Sequence, residues 1–191
     1  MVQSKRGPQQ VRIIGGKYKG RKLRFVGGKD LRPTLGRTRE TLFNWLRGTL
    51  EDARCLDLFA GSGVLGLEAL SQGAAHVTFV ERNARTRRQL KETITELDLG
   101  KQTELIAGDA IKYLEGCTTR FEVAFVDPPF AQPELLERAA GLLCEKALAT
   151  EFIYVEAPRA ALIEQLCERT GWREHRNTRA GDTFGALLSP P

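Results

Sequence analysis

The stretch Arg54-Cys-Leu-Asp-Leu-Phe-Ala-Gly-Ser-Gly-Val-Leu-Gly66 carries the strongest indication of the fold. Its apolar run from Cys55 to Phe59 predicts a buried β-strand, and three glycines follow within the next seven residues. Glycines let the backbone turn sharply and approach a ligand closely, and the following residues, about 64–72, predict a helix. The stretch therefore predicts a strand, a glycine-rich loop and a helix, which together begin a βαβ unit.

The same alternation of apolar runs and helical stretches continues along the chain. Further strands are predicted at Val77–Val80, Thr103–Ala107, Val123–Val126 and Phe152–Val155, with linking helices at about 83–98, 110–116, 133–147 and 159–169. The final segments Trp172–Asn177 and Thr183–Leu188, with the turn Arg179–Asp182 between them, predict an antiparallel hairpin. The fold class is therefore α/β, with a doubly wound, mostly parallel Rossmann-like sheet and an antiparallel C-terminal strand.

Positive charge is concentrated before this α/β region. Residues 1–50 contain 13 Lys and Arg against only Asp30 and Glu40, a net +11, whereas the remaining 16 basic and 22 acidic residues sum to −6. Lysines and arginines that displace counterions from phosphates bind polyanions independently of their sequence. The N-terminal part therefore predicts a nucleic-acid-binding surface, with a merely solvated basic arm as the alternative.

The N-terminal charges fall in an ordered pattern. Two apolar or alternating runs flank a glycine-rich turn within residues 11–26, which predicts a β-hairpin, and Tyr18 between Lys17 and Lys19 could stack on a base. Leu42, Phe43, Leu46 and Leu50 then define one face of a helix. We expect a flexible basic segment at 1–10, a hairpin-and-helix extension at 11–50 and a main domain at 51–191.

Several classes of protein are disfavoured by composition. No apolar run approaches the roughly 20 residues of a membrane span, and no signal peptide is recognisable, so we expect a cytoplasmic protein. The four cysteines are far apart and the two histidines lack partners at metal-ligand spacing, so no metal is expected. A monomer is the expected state.

The glycine loop by itself fits two kinds of cofactor. Gly61, Gly63 and Gly66 form the pattern G-x-G-x-x-G, and Glu81 follows Gly61 by 20 residues, as in a dinucleotide-binding site. Asp57 stands just before the loop, where it would repel a pyrophosphate but could pair with the ammonium group of S-adenosylmethionine. A role for Asp57 as a loop cap is the alternative.

Two more acids follow predicted strands. Glu81, after the second strand, could accept hydrogen bonds from both ribose hydroxyls, while Asn83 is the better candidate for capping the next helix. Asp109, after the third strand, could accept from an adenine amino group with the Ala110 N–H facing the ring. An N-cap is the competing role for Asp109.

The sequence Asp127-Pro-Pro-Phe130, directly after a predicted buried strand, favours methyl transfer over hydride transfer. If the Asp127 carboxylate and the Pro128 carbonyl each accept one amino proton, the nitrogen lone pair of a base is held toward the sulfonium methyl. Pro129 fixes the turn and Phe130 would stack on an extruded base. A Pro-Pro turn that only ends the strand is the alternative.

With these motifs, the chain resembles the RsmD-type family of bacterial 16S ribosomal RNA guanine-N2 methyltransferases. The resemblance runs from Arg12 to about Leu188 and is most specific in Arg12–Leu23 and Arg32–Leu46. It implies S-adenosylmethionine as cofactor and 16S rRNA or the small ribosomal subunit as partner. An adenine-N6 methyltransferase acting on DNA or RNA remains open, and a non-catalytic RNA-binding protein is less favoured.

The resemblance also completes the expected sites. The expected cofactor-binding residues are Asp57, Phe59, Ala60, Gly61, Gly63, Glu81, Asp109 and Ala110. The expected RNA-binding residues are Arg12, Lys17, Tyr18, Lys19, Arg21, Lys22, Arg37 and Arg39. The expected catalytic residues are Asp127, Pro128, Pro129 and Phe130.

Overall fold

The computed structural model describes residues 9–25, 34–129 and 131–191. The strands are β1 (Gln9–Arg12), β2 (Lys22–Phe25), β3 (Arg54–Asp57), β4 (His76–Val80), β5 (Thr103–Ile106), β6 (Phe121–Val126), β7 (Ala149–Ala157), β8 (Arg173–Ala180) and β9 (Thr183–Ser189). The α-helices are α1 (Thr34–Trp45), α2 (Val64–Ser71), α3 (Ala84–Glu96), α4 (Ala110–Gly116), α5 (Pro133–Glu145) and α6 (Ala160–Thr170).

Seven strands form one sheet in the order β5-β4-β3-β6-β7-β9-β8. The strands from β3 to β7 are mutually parallel, and β9 pairs antiparallel with both β7 and β8. The strand order reverses at β3, which has β4 on one side and β6 on the other. In doubly wound sheets ligands bind beyond the carboxyl ends of the strands at such a reversal. The glycine loop, which follows β3, and the loop that starts at Asp127, which follows β6, both begin at this edge of the sheet.

Apolar side chains cover both faces of the sheet, as the near-continuous apolar strands require. On one face, the helices α4, α5 and α6 pack against residues such as Leu56, Val126 and Val155. On the other, α1 and α2 pack with Val77, Phe125 and Tyr154, and the rings of Phe43 and Phe125 lie 6.0 Å apart. Burial of these side chains is the main stabilising contribution to the fold.

The N-terminal hairpin, β1 with β2, is attached to the C-terminal end of α2. The carboxylate of Glu68, 0% exposed, accepts hydrogen bonds from the backbone N–H groups of Ile14 and Gly15 at 2.8–3.1 Å. Gly16 has φ +72°, and a Cβ on it would lie 1.6 Å from the carbonyl oxygen of Ser71. Only glycine permits both this backbone conformation and this close approach. The hairpin is therefore a docked part of the fold.

The predicted elements are confirmed with changes at their ends. The helix α1 ends at Trp45, so Leu46 and Leu50, which were predicted on its apolar face, lie beyond it, although both are buried. The strand predicted at Phe152–Val155 extends in both directions to become β7, and the final turn is shortened to Gly181 and Asp182 because β8 continues to Ala180. Gln9 and Gln10 belong to β1, so the hairpin begins before the expected boundary at residue 11. The rest of the segment expected to be flexible, residues 1–8, lies outside the described residues.

Among the described residues, no helix has both the length and the apolar character needed to cross a membrane.

Candidate active site

Three acidic side chains lie side by side at the carboxyl ends of the central strands. Asp57 ends β3, Asp127 directly follows β6 and Glu156 lies near the end of β7, and these strands are neighbours in that order. Asp57 pairs with Phe125 and Phe125 with Tyr154, so these positions form one row across the sheet. Because side chains two residues apart in a strand share a face, Asp127 and Glu156 lie on the same face as Asp57.

The three acids hold their protons more tightly than free carboxyl groups. Burial, with a smaller contribution from the nearby carboxylate of Glu81, raises the pKa of Asp57 to about 7 against the opposing effect of the Gly66 N–H. Burial also raises the pKa of Asp127 well above its usual range, and Glu156 and Asp57 add to this. Burial raises the pKa of Glu156 as well. A cationic ligand at this edge would stabilise the ionised acids.

Glu156 is fixed by a neighbour on its own strand. The hydroxyl of Tyr154 donates a hydrogen bond to Oε1 of Glu156 at 2.8 Å, and both side chains are buried. Gly185 of β9 pairs with Glu156, and a Cβ on Gly185 would lie 2.8 Å from the Tyr154 hydroxyl. The glycine on β9 therefore leaves space for the hydroxyl that orients the carboxylate.

The glycine loop between β3 and α2 is held by Glu81 at the end of β4. Its Oε2 accepts from the Gly61 N–H at 2.8 Å, and its Oε1 accepts from the Asn83 N–H at 2.6 Å. Gly63 has φ +75° and precedes α2. The Glu81 carboxylate therefore holds the glycine loop through Oε2 and the N-cap of α3 through Oε1. Asn83 caps α3 as expected, accepting from the N–H groups of Arg85 and Thr86 at 3.0 Å.

Asp57 is bound to the first turn of α2. Its Oδ2 accepts from the Gly66 N–H at 3.0 Å, which gives it the capping role that the sequence left open. Gly66 lies close to β4, because a Cβ on it would lie 2.3 Å from Cε1 of Phe79. The third glycine of the G-x-G-x-x-G pattern is thus explained by helix–sheet packing.

The other expected cofactor residues lie at the same edge. Asp109 is the N-cap of α4, and its Oδ1 accepts from the N–H groups of Ile111 and Lys112 at 3.0 and 3.1 Å. Ala110 begins α4 and is buried. Phe59 is partly exposed and Ala60 buried, and the Ala60 N–H donates to the carbonyl of Val80 at 3.0 Å.

The loop expected to be catalytic is described through Pro129. Pro128 is buried and Pro129 exposed, and the Pro129 carbonyl accepts from the Gln132 N–H at 2.9 Å in a turn that leads into α5. Phe130 lies outside the described residues. The His, Cys, Asp and Glu side chains of the described ranges contain no group of three that could hold a metal ion.

Most of the expected RNA-binding side chains are on the surface. Arg12, Lys17, Lys19, Arg21, Lys22 and Arg37 are exposed. Tyr18 is partly buried, with the ammonium of Lys17 located 5.3 Å from its ring centroid. The hairpin turn contacts the C-terminal end of α2, so Lys17, Tyr18 and Lys19 are located near the amino edge of the sheet. They are separated from the glycine loop by the length of α2, about 12 Å for eight residues at 1.5 Å per residue.

Arg39 was expected to contact RNA, and the structure places it in the interior instead. It is 6% exposed, its Nη2 donates to the carbonyl of Arg12 at 2.6 Å, and its Nε is 3.7 Å from Oε2 of Glu68. The guanidinium therefore joins α1 to the hairpin and to α2. The sequence could not separate Arg39 from Arg37, because both are arginines in the same basic run.

Glu156, Tyr154 and Glu68 were missed in the sequence. Glu156 directly follows the predicted strand Phe152–Val155, and Asp127 follows its own strand in the same way. This shared position was a usable signal. Glu68 gave no comparable signal, since it lies within the apolar stretch of α2 and its partners are more than 50 residues away.

Comparison with known proteins places this geometry in a family. A family model described as conserved hypothetical protein 95 matches residues 11–189. The ribosomal RNA small subunit methyltransferase D of Escherichia coli is 42% identical over 177 residues, covering 92% of this chain and 87% of that protein. The protein of the same name from Haemophilus influenzae is 41% identical, covering 83% of this chain and 84% of its own length.

The solved structures agree with the sequence matches. The structure of the Escherichia coli protein yhhF superposes with a TM-score of 0.81 at 39% identity, covering 95% of this chain and 98% of that one. The match includes the N-terminal hairpin as well as the central sheet, since it extends over nearly the whole of both chains. The chain belongs to the RsmD-type family of ribosomal RNA small subunit methyltransferases.

Proposed function

We propose that this protein transfers a methyl group from S-adenosylmethionine to the exocyclic N2 amine of a guanine in 16S ribosomal RNA. The observation that carries the proposal is the position of Asp127, beside Pro128 and Pro129, at the strand-order reversal and on the same face of the sheet as Asp57 and Glu156. Relatives that are 41–42% identical over 83–92% of this chain are named as small-subunit rRNA methyltransferases. That name supports ribosomal RNA as the substrate.

The chemistry of the acids fits a cationic cofactor. Asp57, which is buried, and Asp127, which is partly exposed, both have raised pKa values, partly because neighbouring carboxylates repel one another. A ligand with positive charge offsets this repulsion, whereas the phosphates of a dinucleotide would increase it. S-adenosylmethionine supplies a methyl group on positively charged sulfur and has a cationic amino group.

Each proposed cofactor residue would serve a part of that ligand. Asp57 would accept from its ammonium group, and the loop containing Phe59, Ala60, Gly61 and Gly63 would pass beside it. Glu81 would accept from the ribose hydroxyls in addition to holding Gly61. Asp109, which caps α4 through Oδ1, would accept from the adenine amino group through Oδ2 with the Ala110 N–H toward the ring.

Asp127 and Pro128 would position the target amine. The lone pair of an aryl amine is delocalised into the base, so the amine is a weak nucleophile until its geometry is fixed. Acceptance of one N–H by the Asp127 carboxylate and one by the Pro128 carbonyl would point the lone pair at the methyl carbon. The nitrogen forms a bond to the methyl carbon as the carbon–sulfur bond of the sulfonium breaks and leaves a neutral thioether. The nitrogen then loses one proton, which Asp127 or water accepts. Catalysis would then rest on positioning and on preorganised negative charge near the developing ammonium.

Glu156 would keep Asp127 in place. Its carboxylate is oriented by Tyr154 and lies on the next strand, on the same face as Asp127. Two neighbouring acids share protons, so ionisation of one raises the pKa of the other. We assign Glu156 as a positioning residue that tunes the protonation of Asp127.

The proposed RNA surface consists of the exposed basic residues of the hairpin and α1 together with the partly buried Tyr18. It includes Arg12, Lys17, Tyr18, Lys19, Arg21, Lys22 and Arg37, and it excludes Arg39 because that side chain is buried.

The test is transfer of labelled methyl groups from S-adenosylmethionine to unmodified 16S rRNA and to small subunits, with DNA as a control, followed by nucleoside analysis. We expect N2-methylguanosine as the product. N6-methyladenosine would contradict the proposed base, and transfer to neither RNA nor DNA would contradict the proposed activity.

A further inference from the structure

The first half of α3 and the residue pair before it carry an unusual concentration of positive charge. Residues 82–91 include Arg82, Arg85, Arg87, Arg88 and Lys91, and no acidic residue. The side chains of Arg82, Arg85, Arg88 and Lys91 are exposed. This concentration is not evident from the overall charge, because residues 51–191 are net negative. We call these four exposed side chains, of Arg82, Arg85, Arg88 and Lys91, the α3 basic row.

The α3 basic row does not stabilise the helix that carries it. The amino end of a helix carries a partial positive charge, so arginines in the first turns are unfavourable there. Like charges three residues apart, as at Arg85 and Arg88, also repel each other. Among the described residues, the first turn of α3 contains no acid that would compensate. Glu92, four residues after Arg88, offsets part of this cost, but no acid follows Arg82 or Arg85 by three or four residues, so a partner outside the helix would account for these charges.

Arg87 differs from its neighbours because its guanidinium has a structural contact within the fold. It is half-buried, and its Nη1 donates to the carbonyl of Glu81 at 3.2 Å. That contact steadies the segment leading from β4 into α3. The structure assigns Arg82, Arg85 and Arg88 no such contact among the described residues, and their charges point to solvent.

The position of the row joins two parts of the proposed RNA site. α3 starts directly after the carboxyl end of β4, beside Glu81, which holds the glycine loop. Strand β2 of the basic hairpin packs against α3, and Lys22 at its start is exposed. The hairpin turn itself is near the opposite edge of the sheet. The row thus extends the basic surface from the hairpin to the edge where the acids lie.

We propose that Arg82, Arg85 and Arg88 bind the phosphate backbone of the substrate RNA next to the methylated nucleotide. This inference rests on the proposed function for its choice of RNA as the polyanion. Guanidinium groups suit this role because they donate paired hydrogen bonds to phosphate oxygens and stay charged at all physiological pH values. Contacts of this kind position the RNA without reading its sequence.

The experiment compares a triple variant, R82Q/R85Q/R88Q, with a control of equal charge change, K101Q/R120Q/R173Q. Lys101, Arg120 and Arg173 are exposed and precede or begin strands β5, β6 and β8, at the opposite edge of the sheet. Binding to 16S rRNA transcribed in vitro is measured across a range of salt concentrations. Thermal unfolding and S-adenosylmethionine binding are measured on the same samples.

We expect the slope of log K against log salt concentration to become shallower by about two units in the α3 variant, at roughly 0.7–0.9 per phosphate contact. The control should change by much less. The unfolding temperature of the α3 variant should equal or exceed that of the wild type, because charges unfavourable to the helix have been removed. A lower unfolding temperature would show a structural role and overturn the proposal.

An unchanged slope in the α3 variant, or an equal change in the control, would also overturn the proposal. Nucleoside analysis of wild-type product separates this result from failure of the proposed function. If the wild type forms N2-methylguanosine and the slope is unchanged, the surface assignment alone is wrong. If the slope falls as expected and no methylated guanosine forms, RNA binding by the row stands and the proposed reaction is wrong.

Discussion

The hydroxyl of Tyr154 donates a hydrogen bond of 2.8 Å to the carboxylate of Glu156, one strand away from Asp127 and on the same face of the sheet. Because Glu156 adds to the raised pKa of Asp127, replacing it removes a repulsive charge. Glu156→Gln should therefore lower the pKa of Asp127 and move the acid limb of the kcat–pH profile to lower pH. Methyl transfer measured between pH 5 and 9 checks this shift.

The matched control for this substitution is Glu151→Gln. Glu151 is on the same strand, exposed, and near the opposite end of β7. It should leave the acid limb where it is. An unshifted profile for Glu156→Gln, together with normal activity, would show that Glu156 does not tune the protonation of Asp127.

Asp57 should make cofactor binding dependent on pH. Its pKa is raised to about 7, so in the free protein it is mostly protonated at pH 6. Because the pKa of Asp57 is higher in the folded than in the unfolded protein, its protonated side chain stabilises the fold at low pH. This contribution is lost as the pH rises from about 4 to 7. Pairing with the cofactor ammonium requires the ionised form, so binding at pH 6 should release close to one proton from Asp57.

Calorimetry of S-adenosylmethionine binding in two buffers of different ionisation enthalpy measures this proton. Affinity should rise as the pH increases from 5.5 to 7. Asp57→Asn keeps a similar shape but cannot ionise, so it should bind more weakly and release about one proton fewer. Equal proton release by the variant and the wild type would show that Asp57 does not pair with the ammonium.

Arg37 and Arg39 provide a matched pair on α1. Arg39→Ala removes a buried guanidinium from beside Glu68 and should cost about 3 kcal/mol of unfolding free energy. Arg37→Ala removes an exposed side chain and should change stability by less than about 0.5 kcal/mol. Urea unfolding measures both values.

The two substitutions should have the opposite ranking in RNA binding, where Arg37→Ala should have the larger effect. Loss of Arg37 should reduce the salt slope by roughly 0.7–0.9, as expected for one phosphate contact. The folded fraction of Arg39→Ala should keep the wild-type slope. A reduced slope for Arg39→Ala without loss of stability would show that Arg39 contacts RNA.

The fold was predictable because its signals are local. Each buried parallel strand is a short apolar run, and turn or capping residues such as Gly63 and Asn83 mark where the helices begin. Those features depend on a few adjacent residues. Strand ends were less accurate, as for β7, because sheet pairing with β6 and β9 extends a strand beyond its apolar core.

The candidate site was predictable only in part. Acids after strands identified Asp57, Glu81 and Asp127, because all parallel strands end at the same edge. The pairing of Tyr154 with Glu156 was not evident, since it depends on which strand lies next to β6. The burial of Arg39 likewise depends on a carboxylate on another helix. Contacts between distant residues, unlike local patterns, require the packed structure.

The role of Asp127 is measured by comparing the wild type with Asp127→Ala in methyl transfer to unmodified 16S rRNA. Cofactor binding is measured in parallel. We predict N2-methylguanosine with the wild type and a loss of at least about 100-fold in kcat for the variant, with S-adenosylmethionine still bound, because one preorganised polar group is worth about that much. Wild-type turnover by Asp127→Ala, or a methylated product other than N2-methylguanosine, would contradict the account.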